Sequence, residues 1–269
     1  MIEEDKGFGD ITSNSTVNED LIVKAEIISK DEGILAGSKL IKETLEDYGL
    51  EVIFNLNDGS EINDGDLLFL IEGNARNILL LERTILNLLM RMSGVATAAN
   101  SYVELLKDSS IAVAGTRKTS PSLAKFDKIA LEIGGADTHR FSLDDMVLIK
   151  DNHIAIVGSP LETLKKAQEN VSFSKKIEIE VETLEDAVAC VENNADIVML
   201  DNMSPDKVKE VLNELNNRDI RKNSLIEVSG GINKENILDF IGLDIDIISL
   251  GELTHSSRSL NFSLNIGEI

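Results

Sequence analysis

From residue 111 onward short apolar runs recur: Ile111 to Ala114, Met146 to Ile149, Ile177 to Val181, Ile197 to Leu200, Leu225 to Val228 and Ile245 to Leu250. Amphipathic stretches of helical period separate them. Strands joined by helices pair in parallel, because a parallel pair needs a crossover of a dozen or more residues. The chain therefore predicts repeated β/α units. Polar or glycine signals follow the runs at Arg117-Lys118, Lys150-Asp151-Asn152, Asp201-Asn202, Ser229-Gly230-Gly231 and Gly251. In α/β barrels the chemistry sits at the C-terminal ends of the strands, where these residues fall.

One run is more specific. Glu178, Glu180 and Glu182 share one face of a strand by the period of two, and Ile177, Ile179 and Val181 share the other. With the apolar face against helices, the three carboxylates point into the barrel. Such interiors are normally filled by branched apolar side chains, so a metal or a lysine partner is needed to offset the burial.

The stretch from Gly115 to His153 gathers six bases, Arg117, Lys118, Lys125, Lys128, Arg140 and Lys150, against six acids, with His139 and His153 among them. The whole chain has 26 bases against 48 acids and a formal net charge of -22. A cationic island in so acidic a protein predicts an anionic small-molecule ligand, because a multiply charged anion leaves water only when several fixed donors replace its hydration. The acidic balance also argues against nucleic acid and anionic lipid as partners. No apolar run reaches the ~18 residues of a membrane span, and the start lacks a signal-peptide pattern, so a cytoplasmic location is expected. The only cysteine, Cys190, lies in a helical Ala-Val-Ala-Cys-Val stretch and reads as a buried small hydrophobe.

The first 110 residues differ in kind. Residues 1 to 20 read as turn-rich, with Gly7-Phe8-Gly9-Asp10-Ile11-Thr12. Strands are predicted in Leu21 to Leu35, Leu50 to Leu56 and Leu67 to Ile71, and a helix over Ser38 to Tyr48. Asn74 to Lys107 reads as one or two long helices, apolar almost all round from Ile78 to Met92 and carrying Glu82, Arg83 and Arg91. Lys118-Thr119 resembles the end of a nucleotide-binding P-loop, but Arg117 stands where that motif needs glycine. Lys150 at a strand end, with carboxylates across the barrel, leaves open a Schiff-base lyase.

Gly115-Thr116-Arg117-Lys118-Thr119, Thr138-His139-Arg140, Leu148-Ile149-Lys150-Asp151-Asn152-His153, Met199-Leu200-Asp201-Asn202-Met203 and Ser229-Gly230-Gly231-Ile232 occur in this order. With Glu82-Arg83-Thr84 and Leu253-Thr254-His255-Ser256, they make the chain resemble the quinolinate phosphoribosyltransferase family over nearly its whole length. The resemblance implies an α/β fold: an N-terminal α/β sandwich domain over residues 1–93, an incomplete α/β barrel over 94–252, and a C-terminal segment 253–269 returning to the first domain. It also implies a homodimer with shared active sites, or a higher oligomer built from it.

The implied reaction joins quinolinate and phosphoribosyl pyrophosphate, with Mg²⁺, to give nicotinate mononucleotide, pyrophosphate and carbon dioxide for NAD biosynthesis. On the matching motifs, Arg117, Lys118, His139, Arg140 and Lys150 would line the quinolinate and phosphate site, and Arg83 would reach in from the other subunit. Glu180 and Asp201 would hold the ribose hydroxyls and the metal. Ser229, Gly230, Gly231, Gly251 and His255 would form the phosphate-binding turns. Lys118, Lys150, Glu180 and Asp201 are the catalytic candidates. The family usually has Asn, Gly, Gly and Arg where Thr138, Ser142, Ser122 and Ala124 stand here. If these four touch the substrate pocket's walls, a paralogue of the molybdenum-transport-associated type, acting on another ring acid, is the alternative.

Overall fold

The computed structural model describes residues 1–267. The chain divides into two compact units: Met1–Asn100 with Lys125–Gly135 and the described residues from Ser257 onward, and Ser101–Ala124 with Ala136–Ser256.

The first unit begins with two short helices, α1 (Ile2–Lys6) and α2 (Ile11–Thr16), where the sequence predicts only turns. The reason is local: the Asp10 carboxylate accepts the Ser13 N–H at 3.0 Å and starts α2 behind Gly9. Strand β1 (Ile22–Ser29) turns Val23, Ala25, Ile27 and Ser29 inward on the period of two. A short ladder of β2 (Gly33–Ile34) is followed by α3 (Ser38–Asp47), β3 (Glu51–Asn55) and β4 (Glu61–Ile62), which pairs with β2. Strand β5 (Leu67–Asn74) runs antiparallel between β1 and β3.

Asn74 then caps α4 (Ala75–Leu106), its side-chain oxygen accepting the Arg76 N–H at 3.0 Å. The predicted long helix is a single one. Its buried residues Ile78, Leu81, Ile85, Leu89, Met92 and Ala96 recur at three and four. The helix α5 (Ala124–Ile133) supplies Asp127, which takes two hydrogen bonds from the Arg91 guanidinium at 3.0 Å each. At the end of α5, Gly134 lies so close to α4 that a Cβ there would fall 2.4 Å from the Ala96 carbonyl oxygen.

The second unit is built on β6 (Ala112–Ala114), β7 (Val147–Ile149), β8 (Ile177–Val181), β9 (Ile197–Asp201), β10 (Leu225–Ser229) and β11 (Ile247–Ser249). They pair in parallel in the order β6-β11-β10-β9-β8-β7. Strands β7 to β11 thus lie beside their sequence neighbours, β11 also pairs with β6, and β6 and β7 do not pair. This is an incomplete barrel. The free edge of β6 is taken by the chain at Asp137, whose N–H donates to Val113 O at 2.8 Å and whose carbonyl accepts from Gly115 N at 2.9 Å.

Helices α6 (Asp151–Val157), α7 (Pro160–Asn170), α8 (Leu184–Glu192) and α9 (Pro205–Asn217) make the crossovers. Ser159, Thr183 and Ser204 cap the last three, and proline opens α7 and α9. Cys190 is fully buried in α8. After α10 (Glu252–His255), β12 (Phe262–Gly267) pairs antiparallel with β1 and completes the four-stranded sheet β12-β1-β5-β3 of the first unit. Glu178 and Glu180 do lie on one face of β8, but Glu182 stands past its last residue and is exposed, so the inward row has two acids and not three.

Candidate active site

A cavity of about 680 Å³ opens over the C-terminal ends of the barrel strands. Its wall changes character around the sheet order. Arg117 and Lys118 follow β6, His139 and Arg140 follow the stretch along its free edge, and Lys150 follows β7. Glu180 and Asp201 come from the ends of the neighbouring strands β8 and β9. Ser229, Gly230 and Gly231 after β10, with Gly251 and His255 after β11, complete the ring.

Several of these groups are fixed by the backbone around them. Lys118 N–H donates to Thr116 Oγ1 at 3.1 Å, and its carbonyl accepts from Thr254 Oγ1 at 2.7 Å, which ties the first cationic turn to α10. Lys150 Nζ is ion-paired with Glu180 Oε1. Arg140 is buried, and burial first, then the like charge of Arg117, pulls its pKa below the usual arginine value, while Glu178 and Glu180 act in the opposite sense. An anion placed between Arg117 and Arg140 would relieve that repulsion.

The glycine turn is sterically demanded. Gly230 has φ +90, and a Cβ there would lie 2.3 Å from Asn202 Oδ1. Asn202 itself sits at φ 54, donates its N–H to Ser229 O at 2.9 Å, and gives its side-chain amide to Asp201 Oδ2 at 2.8 Å. One asparagine thus orients the acid of β9 and packs under the turn after β10. Its left-handed backbone is a signal that Asn tolerates better than most residues.

Beneath the cavity His139 points its ring inward. Nε2 lies 3.2 Å from Glu178 Oε2 and 3.3 Å from Glu227 Oε2, and Nδ1 accepts the Arg140 N–H at 2.9 Å. Burial opposes a charged ring, but the two carboxylates outweigh it and hold its pKa up to about 10. The Arg140 N–H on Nδ1 requires a lone pair there and favours the neutral ring. In either state Nε2 carries a proton. Burial also pushes the Glu178 carboxyl above its ordinary pKa, and His139 counters it.

All the expected site residues line this one cavity except Arg83, which belongs to the first unit, where its exposed side chain lies 3.4 Å from Glu82 Oε1. Lys125 and Lys128 of the basic stretch do not line it, since both lie on α5 in the first unit. His153 does not either: its Nδ1 accepts the Lys150 N–H at 2.9 Å and caps α6. Thr138, Ser142, Ser122 and Ala124 are also absent from the wall. Ser122 has φ 64, a backbone that glycine adopts without cost, so its departure concerns a turn and not a ring-acid pocket. Sequence reasoning places Asn202 at a strand end without giving it a role, and it passes over Glu227. An acid in the middle of Leu225-Ile226-Glu227-Val228 was the available signal for Glu227.

Two family models match the chain: quinolinate phosphoribosyl transferase, N-terminal domain, over residues 10–93, and quinolinate phosphoribosyl transferase, C-terminal domain, over residues 95–265. A protein of Methanocaldococcus jannaschii named probable nicotinate-nucleotide pyrophosphorylase (carboxylating) is 48% identical over 269 residues, covering 98% of this chain and 94% of the relative. The human nicotinate-nucleotide pyrophosphorylase (carboxylating) is 35% identical over 245 residues, 90% of this chain and 82% of the relative. The crystal structure of NadC from Streptococcus pyogenes is 38% identical and superposes with a TM-score of 0.92, covering 100% of this chain and 94% of that one.

Proposed function

Since the chain belongs to the quinolinate phosphoribosyl transferase family, we propose that it transfers the phosphoribosyl group of phosphoribosyl pyrophosphate to quinolinate with loss of carbon dioxide. The products are nicotinate mononucleotide and pyrophosphate, and the reaction serves NAD biosynthesis. One observation carries this reading: a single cavity has cations in one sector, acids in the next and glycine turns in the third, in the order of the strands.

That order suits the two substrates. Arg117, Arg140 and Lys150, with Lys118 and His139, offer fixed donors for the two ring carboxylates and the pyrophosphate. The turns at Ser229-Gly230-Gly231 and Gly251, with His255, suit the 5′-phosphate, since backbone N–H groups can approach where no side chain intervenes. Glu180 and Asp201 would grip the ribose hydroxyls and stabilise the positive charge that develops at the anomeric carbon as pyrophosphate leaves. Attack by the ring nitrogen makes a pyridinium, which stabilises the carbanion left when the adjacent carboxylate departs as carbon dioxide, and a proton taken up at that carbon completes nicotinate mononucleotide. The protein then need only position the ring and exclude water.

Mg²⁺ fits the acids as a hard cation that takes oxygen donors, and Glu180 and Asp201 at adjacent strand ends are the residues that would hold it, directly or through water. When bound it would neutralise charge on the pyrophosphate. Arg83, exposed on α4, would serve the site of a second copy in a homodimer. No described helix is long and apolar enough to cross a membrane, and a cytoplasmic setting suits water-soluble substrates of this kind.

The test is product analysis with phosphoribosyl pyrophosphate, Mg²⁺ and quinolinate. Carbon dioxide and nicotinate mononucleotide should appear in equal amounts; consumption of quinolinate without carbon dioxide would rule the reaction out. For the dimer, Arg83→Ala and Arg140→Ala are each expected to be nearly inactive. Reassociating them at random makes half the dimers mixed, with one intact site of two, restoring roughly a quarter of wild-type activity. No recovery despite confirmed subunit exchange would contradict the shared site.

A further inference from the structure

The barrel interior holds two acids that the chemistry above does not use. Glu178 of β8 and Glu227 of β10 are both 0% exposed, on strands that flank β9. Both Glu178 oxygens and Glu227 Oε1 lack a hydrogen-bond partner. Buried carboxylates short of donors are costly to a fold, and apolar residues of similar volume are often as stable or more so. His139 Nε2 lies within reach of both, at 3.2 and 3.3 Å.

His139 needs such a grip. Its backbone sits at φ 53, a strained conformation for a side chain of this size. A second cavity of about 570 Å³ enters from the N-terminal strand ends, past Ala112, Ile197 and Leu225, and reaches His139, Arg140 and Glu227. Close packing therefore does not hold the ring from that side; the carboxylates do. On the far side of the ring Nδ1 holds the Arg140 N–H. The three side chains bring their ligand atoms within 4.8 Å of one another, as a metal site would. A metal on Nε2 would, however, put the ring proton on Nδ1, against the Arg140 N–H, so the geometry favours a proton on Nε2 instead.

We propose that Glu178 and Glu227 are positioning residues: they grip His139 Nε2, the ring holds the Arg140 backbone, and the Arg140 guanidinium is thereby aimed at a carboxylate of the ring substrate. The identity of that substrate rests on the function proposed above.

The experiment compares Glu178→Met, Glu227→Met, the double Met variant and the double Gln variant. Glu178→Met keeps the Glu227 acceptor of Nε2–H, and Glu227→Met leaves Glu178 Oε2 3.2 Å away to take it over, so each single effect should be small. The double Met variant leaves none, and the KM for quinolinate should rise roughly 100-fold, the loss expected of a misplaced binding group, with a much smaller rise in the KM for phosphoribosyl pyrophosphate, which the other cations and the glycine turns also hold. Its melting temperature should change little, because the relief of removing unsatisfied acids offsets the cost of the acceptor that Nε2–H loses. The double Gln variant keeps carbonyl acceptors and should recover most of the affinity. A double Met variant that melts earlier yet keeps its quinolinate KM would overturn the proposal, as would Met and Gln doubles that behave alike. The His139 ring N–H signal in NMR gives a readout without turnover: it should be slow to exchange in the wild type and in the Gln double, and lost in the Met double. If the wild type turned over no quinolinate, the substrate reading would fail while this signal still decided the positioning claim.

Discussion

Each unit buries a charged cluster, and the two are satisfied to different degrees. In the first unit Arg91 and Asp127 meet through two parallel hydrogen bonds at 3.0 Å, and Ser257 Oγ accepts a further one at 3.0 Å. In the second, His139 Nε2 is hydrogen-bonded to Glu227 Oε2 alone, Glu178 Oε2 stands 3.2 Å from it as an ion-pair contact, and three carboxylate oxygens are left without a hydrogen bond. A bidentate pair that uses its hydrogen-bonding capacity ties α4 to α5 and can be explained by the fold alone. An under-satisfied cluster at the base of the barrel cavity cannot, since removing it would relieve the interior.

The largest expected effect tests the first half of this contrast. Arg91→Met leaves Asp127, whose side chain is 0% exposed, without its partner, and should cost about 3–5 kcal/mol in denaturant unfolding. The enzyme that remains folded should keep its KM for quinolinate. A stability loss below about 1 kcal/mol would remove the distinction between the two clusters.

Two glycines sharpen the contrast at the level of backbone. Gly134→Ala drives a Cβ against the Ala96 carbonyl in the first unit and should cost about 1–3 kcal/mol of stability with little change in kinetics. Gly230→Ala collides with Asn202, strains a φ of +90 and should act mainly on the KM for phosphoribosyl pyrophosphate. Equal kinetic losses in both variants would mean that the turn after β10 has no special place in binding.

The smallest effect concerns Cys190, buried in α8, whose thiol burial pushes up to about 12, with Asp186 adding to it. A thiol reagent at pH 8 should label it only at the rate of unfolding. The folded thiol keeps its proton where an unfolded one releases it near 9.0, so this residue's contribution to stability is complete below that pH and is lost as pH rises toward about 12. Rapid native-state labelling would place the thiol at the surface.

Legibility in the sequence followed how local the cause was. The six barrel strands, the long helix α4 and the residues after each strand were readable because period and chain order carry them. The cluster under the cavity was only half readable: Glu178 shows itself by alternation with Glu180, but Glu227 gains its meaning from β10 lying two strands away from β8 in the sheet. Lys125, Lys128 and His153 looked like site residues because charge was counted along the chain, whereas α5 carries the two lysines in the first unit and a cap occupies the histidine. The role of Asn202, a residue visible at its strand end, was hidden because it is a backbone angle beside Gly230.

The central claim is that the barrel cavity is built for a dicarboxylate ring acid and a phosphoribosyl donor at once. The most direct test is kcat/KM for quinolinate against nicotinate, each with phosphoribosyl pyrophosphate and Mg²⁺. Arg140 is buried in the cationic sector beside Arg117 and Lys150, and a ring acid that lacks one carboxylate leaves its guanidinium without an anion, so quinolinate should be preferred by roughly 10⁴-fold or more. Equal turnover of the two acids would contradict the account.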